Sequence, residues 1–385
     1  MSGRGEQQTR YLGRTRAWAT GVLLLVGVGI VTAQADTPAK AAATTQASFL
    51  SLPQAIDLAL TNSLDMKVAN VTLDNARISY ERAKATALAS GTPYDQQSAE
   101  SNWQAAQRSF RTSQGNVIID VANQYLSLIT SQLNIKVSQV QRDAAEQAWK
   151  IAQARQAANA AGPFDVLNAE SSLRSAEASL ARLKDSYAES VAALQQLLGV
   201  DNLQIPDTYP AIKVPALPKL EDAIATAQQN SETVASRRRS LELARLQYEQ
   251  DLLEDLAPLD RQASENSLKL AQLNYDQALA DIAASVTSAY HGLIQAQNSL
   301  QLAQQNYEIE QQKYAITQQQ AKAGIKTQAE LNTAQTTLWQ RQAEVESATT
   351  SYLVSWLKFL QTTGMDQDLA GTLKGVVSNA AASSK

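Results

Sequence analysis

Apolar residues recur along most of the chain at steps of three and four. Leu133, Val137, Val140, Ala144, Ala148 and Ile151 follow one another at 4, 3, 4, 4 and 3. Leu331, Ala334, Leu338, Val345, Ala348, Tyr352, Trp356 and Phe359 follow at 3, 4, 7, 3, 4, 4 and 3. A narrow stripe of this kind is a coiled-coil seam rather than the broad apolar face of a globular helix. Gly and Pro breakers cut the pattern into six predicted helices, near 53–88, 95–158, 163–198, 219–256, 259–322 and 327–363. Ser51, with Pro53 and Gln54 behind it, has the make-up of a helix start: cap, first-turn proline and box glutamine. The third and sixth helices follow their long neighbours after short turns. At 1.5 Å per residue the two middle helices are about 96 Å long, and two short helices laid end to end match one long one. The predicted class is all-α: two tandem repeats of long coiled-coil helical hairpins, each long helix zipped to a short helix along each half.

The halves share more than a plan. Ala55-Ile56, Asn62-Ser63, Ala76-Arg77 and Tyr80 return 168 residues later as Ala223-Ile224, Asn230-Ser231, Ala244-Arg245 and Tyr248. Val121, Tyr125, Leu128-Ile129, Gln132 and Gly199 return at an offset of 165 as Val286, Tyr290, Leu293-Ile294, Gln297 and Gly364. The repeats are therefore 52–199 and 219–364. Between them 200–218 holds Pro206, Pro210, Pro215 and Pro218 and reads as an extended linker. Residues 36–51 and 365–385, small and polar, are expected to be flexible.

Residues 1–35 read as a secretory signal peptide: Arg4, Arg10, Arg14 and Arg16, then an uncharged run from Trp18 to Val31, then Ala33-Gln34-Ala35 as a small-x-small cleavage site. An uncleaved anchor is the alternative. The expected destination is the periplasm or cell envelope.

Composition narrows the function classes. The chain has 65 Ala and 43 Gln but 15 Gly, one His and no Cys. Ala and Gln suit helices. No disulfide framework, thiolate metal site or His-rich metal site can be built, and there is little material for Gly-rich phosphate loops. Neither a metal, a cofactor nor an enzyme is expected, since no Ser/His/Asp set stands out. Without the first 35 residues, Lys and Arg number 29 against 36 Asp and Glu, a balance of −7. An acidic body argues against nucleic acid as a partner. The short run Arg237-Arg238-Arg239 reads as a solvated helix face.

Several segments carry a family resemblance: Leu52 to Ser63, Val121 to Leu128, Phe164-Asp165-Val166-Leu167-Asn168-Ala169-Glu170, and their duplicates at 220–224 and 324–332. In order, spacing and duplication the chain resembles the TolC-like outer-membrane efflux proteins. The resemblance implies a homotrimer in which six repeats form a hollow helical tube, fed by a periplasmic adaptor and an inner-membrane pump. It also implies a pair of β-strands between the first and second helix of each repeat, twelve of which close a transmembrane barrel. A spanning strand takes about 9–11 residues. The junctions here, near 89–95 and 256–259, lack both that length and the alternation. The expected molecule is the helical body without the barrel, membrane-associated through partners or an uncleaved signal. Two functions stay open: an envelope conduit for efflux or type I export, and a structural coiled-coil spacer or tether without a channel.

The candidate sites lie at the hairpin tips. The resemblance places Ala161, Gly162, Pro163 and Phe164, and Gly324, Ile325, Lys326 and Thr327, where adaptor hairpins dock. Their alternative reading is helix punctuation, with Gly324 as a left-handed cap and Pro163 as a helix start. Asp165 and Glu330 are channel-entrance candidates by the same resemblance; the alternative is an acidic residue favoured by the dipole of a first helical turn.

Overall fold

The computed structural model describes residues 49–90, 93–213, 215–253 and 257–378. The signal segment and most of the expected N-terminal flexible segment lie outside them. Nine α-helices and two short strands occupy the described residues: α1 (Leu52–Asn62), α2 (Leu64–Ser90), α3 (Pro93–Ala157), α4 (Pro163–Leu198), β1 (Ala211–Ile212), α5 (Leu220–Asn230), α6 (Glu232–Leu253), α7 (Pro258–Lys322), α8 (Gln328–Thr362), α9 (Leu369–Val376) and β2 (Val377–Ser378). The all-α class stands as expected, and among the described residues the only sheet is the two-stranded pair β1–β2, with no barrel.

α3 and α7 are both 65 residues long, about 98 Å. Each is lined along one half by α2 or α6 and along the other by α4 or α8. The repeats meet where α8 lies against α3. In the opposite half, α6 faces α3 through polar side chains: Arg239 Nη2 donates to Ser101 Oγ at 3.2 Å, and Arg108 pairs with Glu232 at 2.6 Å.

The first helix of each repeat differs from expectation. In place of one helix over 53–88, the chain breaks at Ser63, and in place of one over 219–256 it breaks at Ser231. Ser63 has ψ 146° and Ser231 ψ 123°, both extended. Each hydroxyl then caps the next helix, accepting from Met66 N at 3.2 Å or Val234 N at 3.4 Å. The residue before each serine closes the joint. Asn62 Nδ2 donates to the Leu198 carbonyl and Asn230 Nδ2 to the Gly364 carbonyl, both at 3.2 Å. Short helices thus meet end to end through an asparagine.

The joints sit at an apolar belt around the middle of the long helices. Val117 to Ile129 of α3 pack there with Leu52 and Ile56 of α1, Leu194 and Leu198 of α4, Val286 and Leu293 of α7, and Leu353, Leu357 and Phe359 of α8. Two buried tyrosines hold the chain entering each repeat. Tyr125 OH donates to the Leu50 carbonyl at 2.5 Å and Tyr352 OH to the Pro215 carbonyl at 2.8 Å.

The C-terminal segment from 365, expected to be flexible, is structured to residue 378. Asp368 caps α9, accepting from Gly371 N at 2.8 Å. Leu369 and Leu373 enter the belt. β2 pairs antiparallel with β1 of the linker, Ala211 opposite Ser378 and Ile212 opposite Val377. Lys374 Nζ reaches Asp57 of α1 at 2.7 Å. A short amphipathic helix in an Ala/Gly/Ser-rich tail carries too few apolar positions to show periodicity.

Candidate docking tips

The tips at 158–162 and 323–327 are built alike from different residues. At the second, Gly324 has φ 73°, Gly324 N donates to the Ala321 carbonyl at 3.0 Å and Ile325 N to the Gln320 carbonyl at 2.8 Å. This left-handed closure satisfies the last carbonyls of α7. At the first, the same turn is made by Asn159, with φ 55°; Asn159 N donates to the Gln156 carbonyl at 2.9 Å and Ala160 N to the Arg155 carbonyl at 2.7 Å. Asparagine tolerates this conformation better than other non-glycine residues, and the sequence reading did not single it out.

The outgoing helices start with boxes. Gly162 precedes Pro163, and its N–H donates to Asp165 Oδ2 at 2.9 Å. Thr327 caps α8: Glu330 N donates to its hydroxyl oxygen at 3.3 Å, and Thr327 N donates to Glu330 Oε2 at 2.9 Å. Lys326 Nζ also bonds to Glu330 Oε1. The Lys326 ammonium, and after it the Thr327 amide and hydroxyl, hold the Glu330 carboxyl down to about 2. Both channel-entrance candidates therefore cap their own helices, and each is exposed.

The docking candidates present an apolar surface. Phe164 is 78 % exposed and Ile325 is 72 % exposed. Leu167, one turn into α4, is also exposed. Ala161 is half-buried, while Gly162, Pro163, Gly324, Lys326 and Thr327 are exposed. No described helix packs over Phe164 or Ile325, so each tip exposes one large apolar side chain beside small residues.

Two edge helices carry further uncovered seams. On α2, Leu64, Val68, Val71 and Ile78 are exposed and step by 4, 3 and 7. On α7, Leu302, Ile309 and Ile316 are exposed and step by 7. Heptad spacing is the signature of a helix that packs along another helix, and among the described residues no helix covers these seams. They were not recognised from the sequence because the inward seams of the same helices mask them.

At the opposite end, two residues separate α2 from α3 and four separate α6 from α7. Neither junction has room for a strand pair. No described helix is long and apolar enough to cross a membrane. Among the described residues no group of three or more His, Asp or Glu is placed to hold a metal ion.

The chain matches the outer membrane efflux protein family over residues 94–200 and 259–365, more than half of its length and once in each repeat. No curated protein sequence matches it. Solved structures share its fold. A membrane protein from Pseudomonas aeruginosa is 14 % identical with a TM-score of 0.58, over 81 % of this chain and 93 % of that one. CusC, described in connection with transmembrane channel formation, is 14 % identical with a TM-score of 0.59, over 81 % and 92 %. The Campylobacter jejuni CmeC outer membrane channel is 14 % identical with a TM-score of 0.55, over 84 % and 88 %. With the family pattern falling on both α3–α4 and α7–α8, this chain belongs to the outer membrane efflux protein family, in a form whose helix junctions leave no room for barrel strands.

Proposed function

We propose that three copies of this chain close into a helical tube in the cell envelope, a conduit for efflux or type I export. The uncovered heptad seams on α2 and α7 carry this reading. They lie on helices that each lack a neighbour on one side, and an exposed apolar seam of this regularity is half of a coiled coil. The tips then form one end of the tube, where Phe164 and Ile325 with their small neighbours dock a periplasmic adaptor joined to an inner-membrane pump. In a trimer Asp165 and Glu330 each form a ring of three carboxylates at that end, which would favour cations. Family membership supports a transport role in the envelope rather than an enzyme.

Light scattering on residues 36–385 without detergent tests the assembly: a trimer is expected, and Ile309→Asp with Ile316→Asp should yield monomers. Docking has its own test. Phe164→Asp and Ile325→Asp should abolish pump-dependent export while leaving the trimer intact; undiminished export would sink the docking role. The two- and four-residue junctions favour a second reading, a coiled-coil spacer in the envelope. A monomeric rod in the same measurement would give it the lead.

A further inference from the structure

The run Arg237–Arg239, read from the sequence as a solvated face, divides in the structure. Arg237 and Arg238 are exposed, but Arg239 turns towards α3. Its Nη2 donates to Ser101 Oγ at 3.2 Å and to Glu232 Oε1 at 2.6 Å. Arg108 of α3 meets the second oxygen of the same carboxylate at 2.6 Å. Further along, α3 receives α8. There Gln361 Nε2 donates to Asn116 Oδ1 at 3.0 Å. On α8, Ala343, Glu346, Leu353 and Leu357 are each at most 6 % exposed. The second repeat thus lays α6 and α8 on α3 of the first.

The internal repeat carries this junction one step on. α2 corresponds to α6 at an offset of 168, and α3 and α4 correspond to α7 and α8 at 165. The four α8 positions just named return on α4 as Ala178, Ala181, Ala188 and Ala192, and every one is exposed. Glu232 returns as Leu64, 74 % exposed, and Arg239 as exposed Val71. On the receiving side Arg108 returns as Leu273, 57 % exposed, and buried Ile119 as exposed Ala284. The chain therefore owns both faces of a second junction of the same kind, and among the described residues neither is covered. At the equivalent positions the ion pair between repeats becomes two leucines, Leu64 and Leu273. The pair Gln361 and Asn116 becomes Gln196 and Asp281, still a donor and an acceptor. We propose that the α2–α4 face of one copy is the seat for α7 of a second copy, packed as α6 and α8 pack on α3 within the chain. The inference rests on the conduit reading and names the faces that meet in it. Because the two faces differ, the contact is head to tail and closes into a ring rather than a two-fold dimer.

The chain contains no cysteine, so introduced thiols report the contact directly. Leu64→Cys and Leu273→Cys are combined in the full chain and joined with bismaleimidoethane, because positions that an arginine and a glutamate bridge lie beyond the reach of a disulfide. Covalent species up to the trimer are expected on a denaturing gel, at least tenfold above either single variant. Ala181→Cys with Gln295→Cys, at the positions equivalent to Glu346 and Thr130, should behave alike; this pair decides the matter if the first loses its helical dichroism. Leu64→Cys with Ile316→Cys joins opposite halves of the tube and should give no product. Dimers from Leu64→Cys alone would overturn the pairing in favour of a two-fold contact. A trimer in light scattering that neither pair cross-links would overturn the pairing and leave the conduit standing. A monomer would overturn both.

Discussion

Glu346 sits in α8 where the two repeats meet and is 6 % exposed. Gln342 Nε2 donates to its Oε1 at 3.0 Å, while Oε2 has no partner. Burial pushes its carboxyl up, against the opposing pull of Gln342 and, after it, of Thr130. The folded protein thus holds this proton more tightly than the unfolded chain. The associated stability is complete below the ordinary value of 4.5 and is lost as pH rises through the raised one. Glu346→Gln should therefore stabilise the protein by ~1 kcal/mol at neutral pH and flatten its pH dependence above about pH 5 in denaturant titrations. An unchanged pH slope would remove Glu346 from the account. Glu330 has the opposite sign. Its lowered carboxyl favours the folded state above 4.5, and that contribution is lost as pH falls toward about 2. Thr327→Ala, which removes the cap, should cost about 1 kcal/mol and raise amide exchange in the first turn of α8 first.

At the scale of elements, the glycines that end helices test where strain resides. Gly324 has φ 73° with open space around an added Cβ, whereas Gly364 has φ 68° and its Cβ would stand 2.6 Å from Asn230 Cβ. Gly324→Ala should cost about 1–2 kcal/mol from backbone conformation alone. Gly364→Ala should cost clearly more in the same melts, because it also forces the asparagine joint apart. Equal losses would mean that the joint yields freely. The helices were legible in the sequence because a seam of three and four repeats many times within each of them. Their interruptions were not. Asn62-Ser63 and Asn230-Ser231 stood out as repeated pairs, yet their work depends on Leu198 and Gly364, more than 130 residues away. Asn159 escaped notice because Pro163 nearby already marked the start of the next helix. Arg239 was misread for a related reason: nothing in a run of three arginines tells which one finds Glu232 and Ser101.

At the scale of the whole molecule, burial concentrates in the belt, and the arms on either side present narrow seams. Lys374, β2 and α9 fasten the end of the chain across that belt. Deleting residues 369–378 removes Leu369 and Leu373 from the core, both at most 3 % exposed. The truncated protein should lose several kcal/mol and expose the interior faces of α1 and α3, seen as increased binding of a hydrophobic dye. A variant with unchanged melting would show that the strap is dispensable.

The short junctions between α2 and α3 and between α6 and α7 have a practical side. Both join helices that are already braced along their length by their neighbours. Each could accept a foreign β-hairpin without asking the helical body to rearrange. In the proposed trimer, two grafts per chain would offer twelve strands, an even number, as an antiparallel cylinder requires. The protein would then serve as a chassis on which a pore of chosen lining is built one turn at a time.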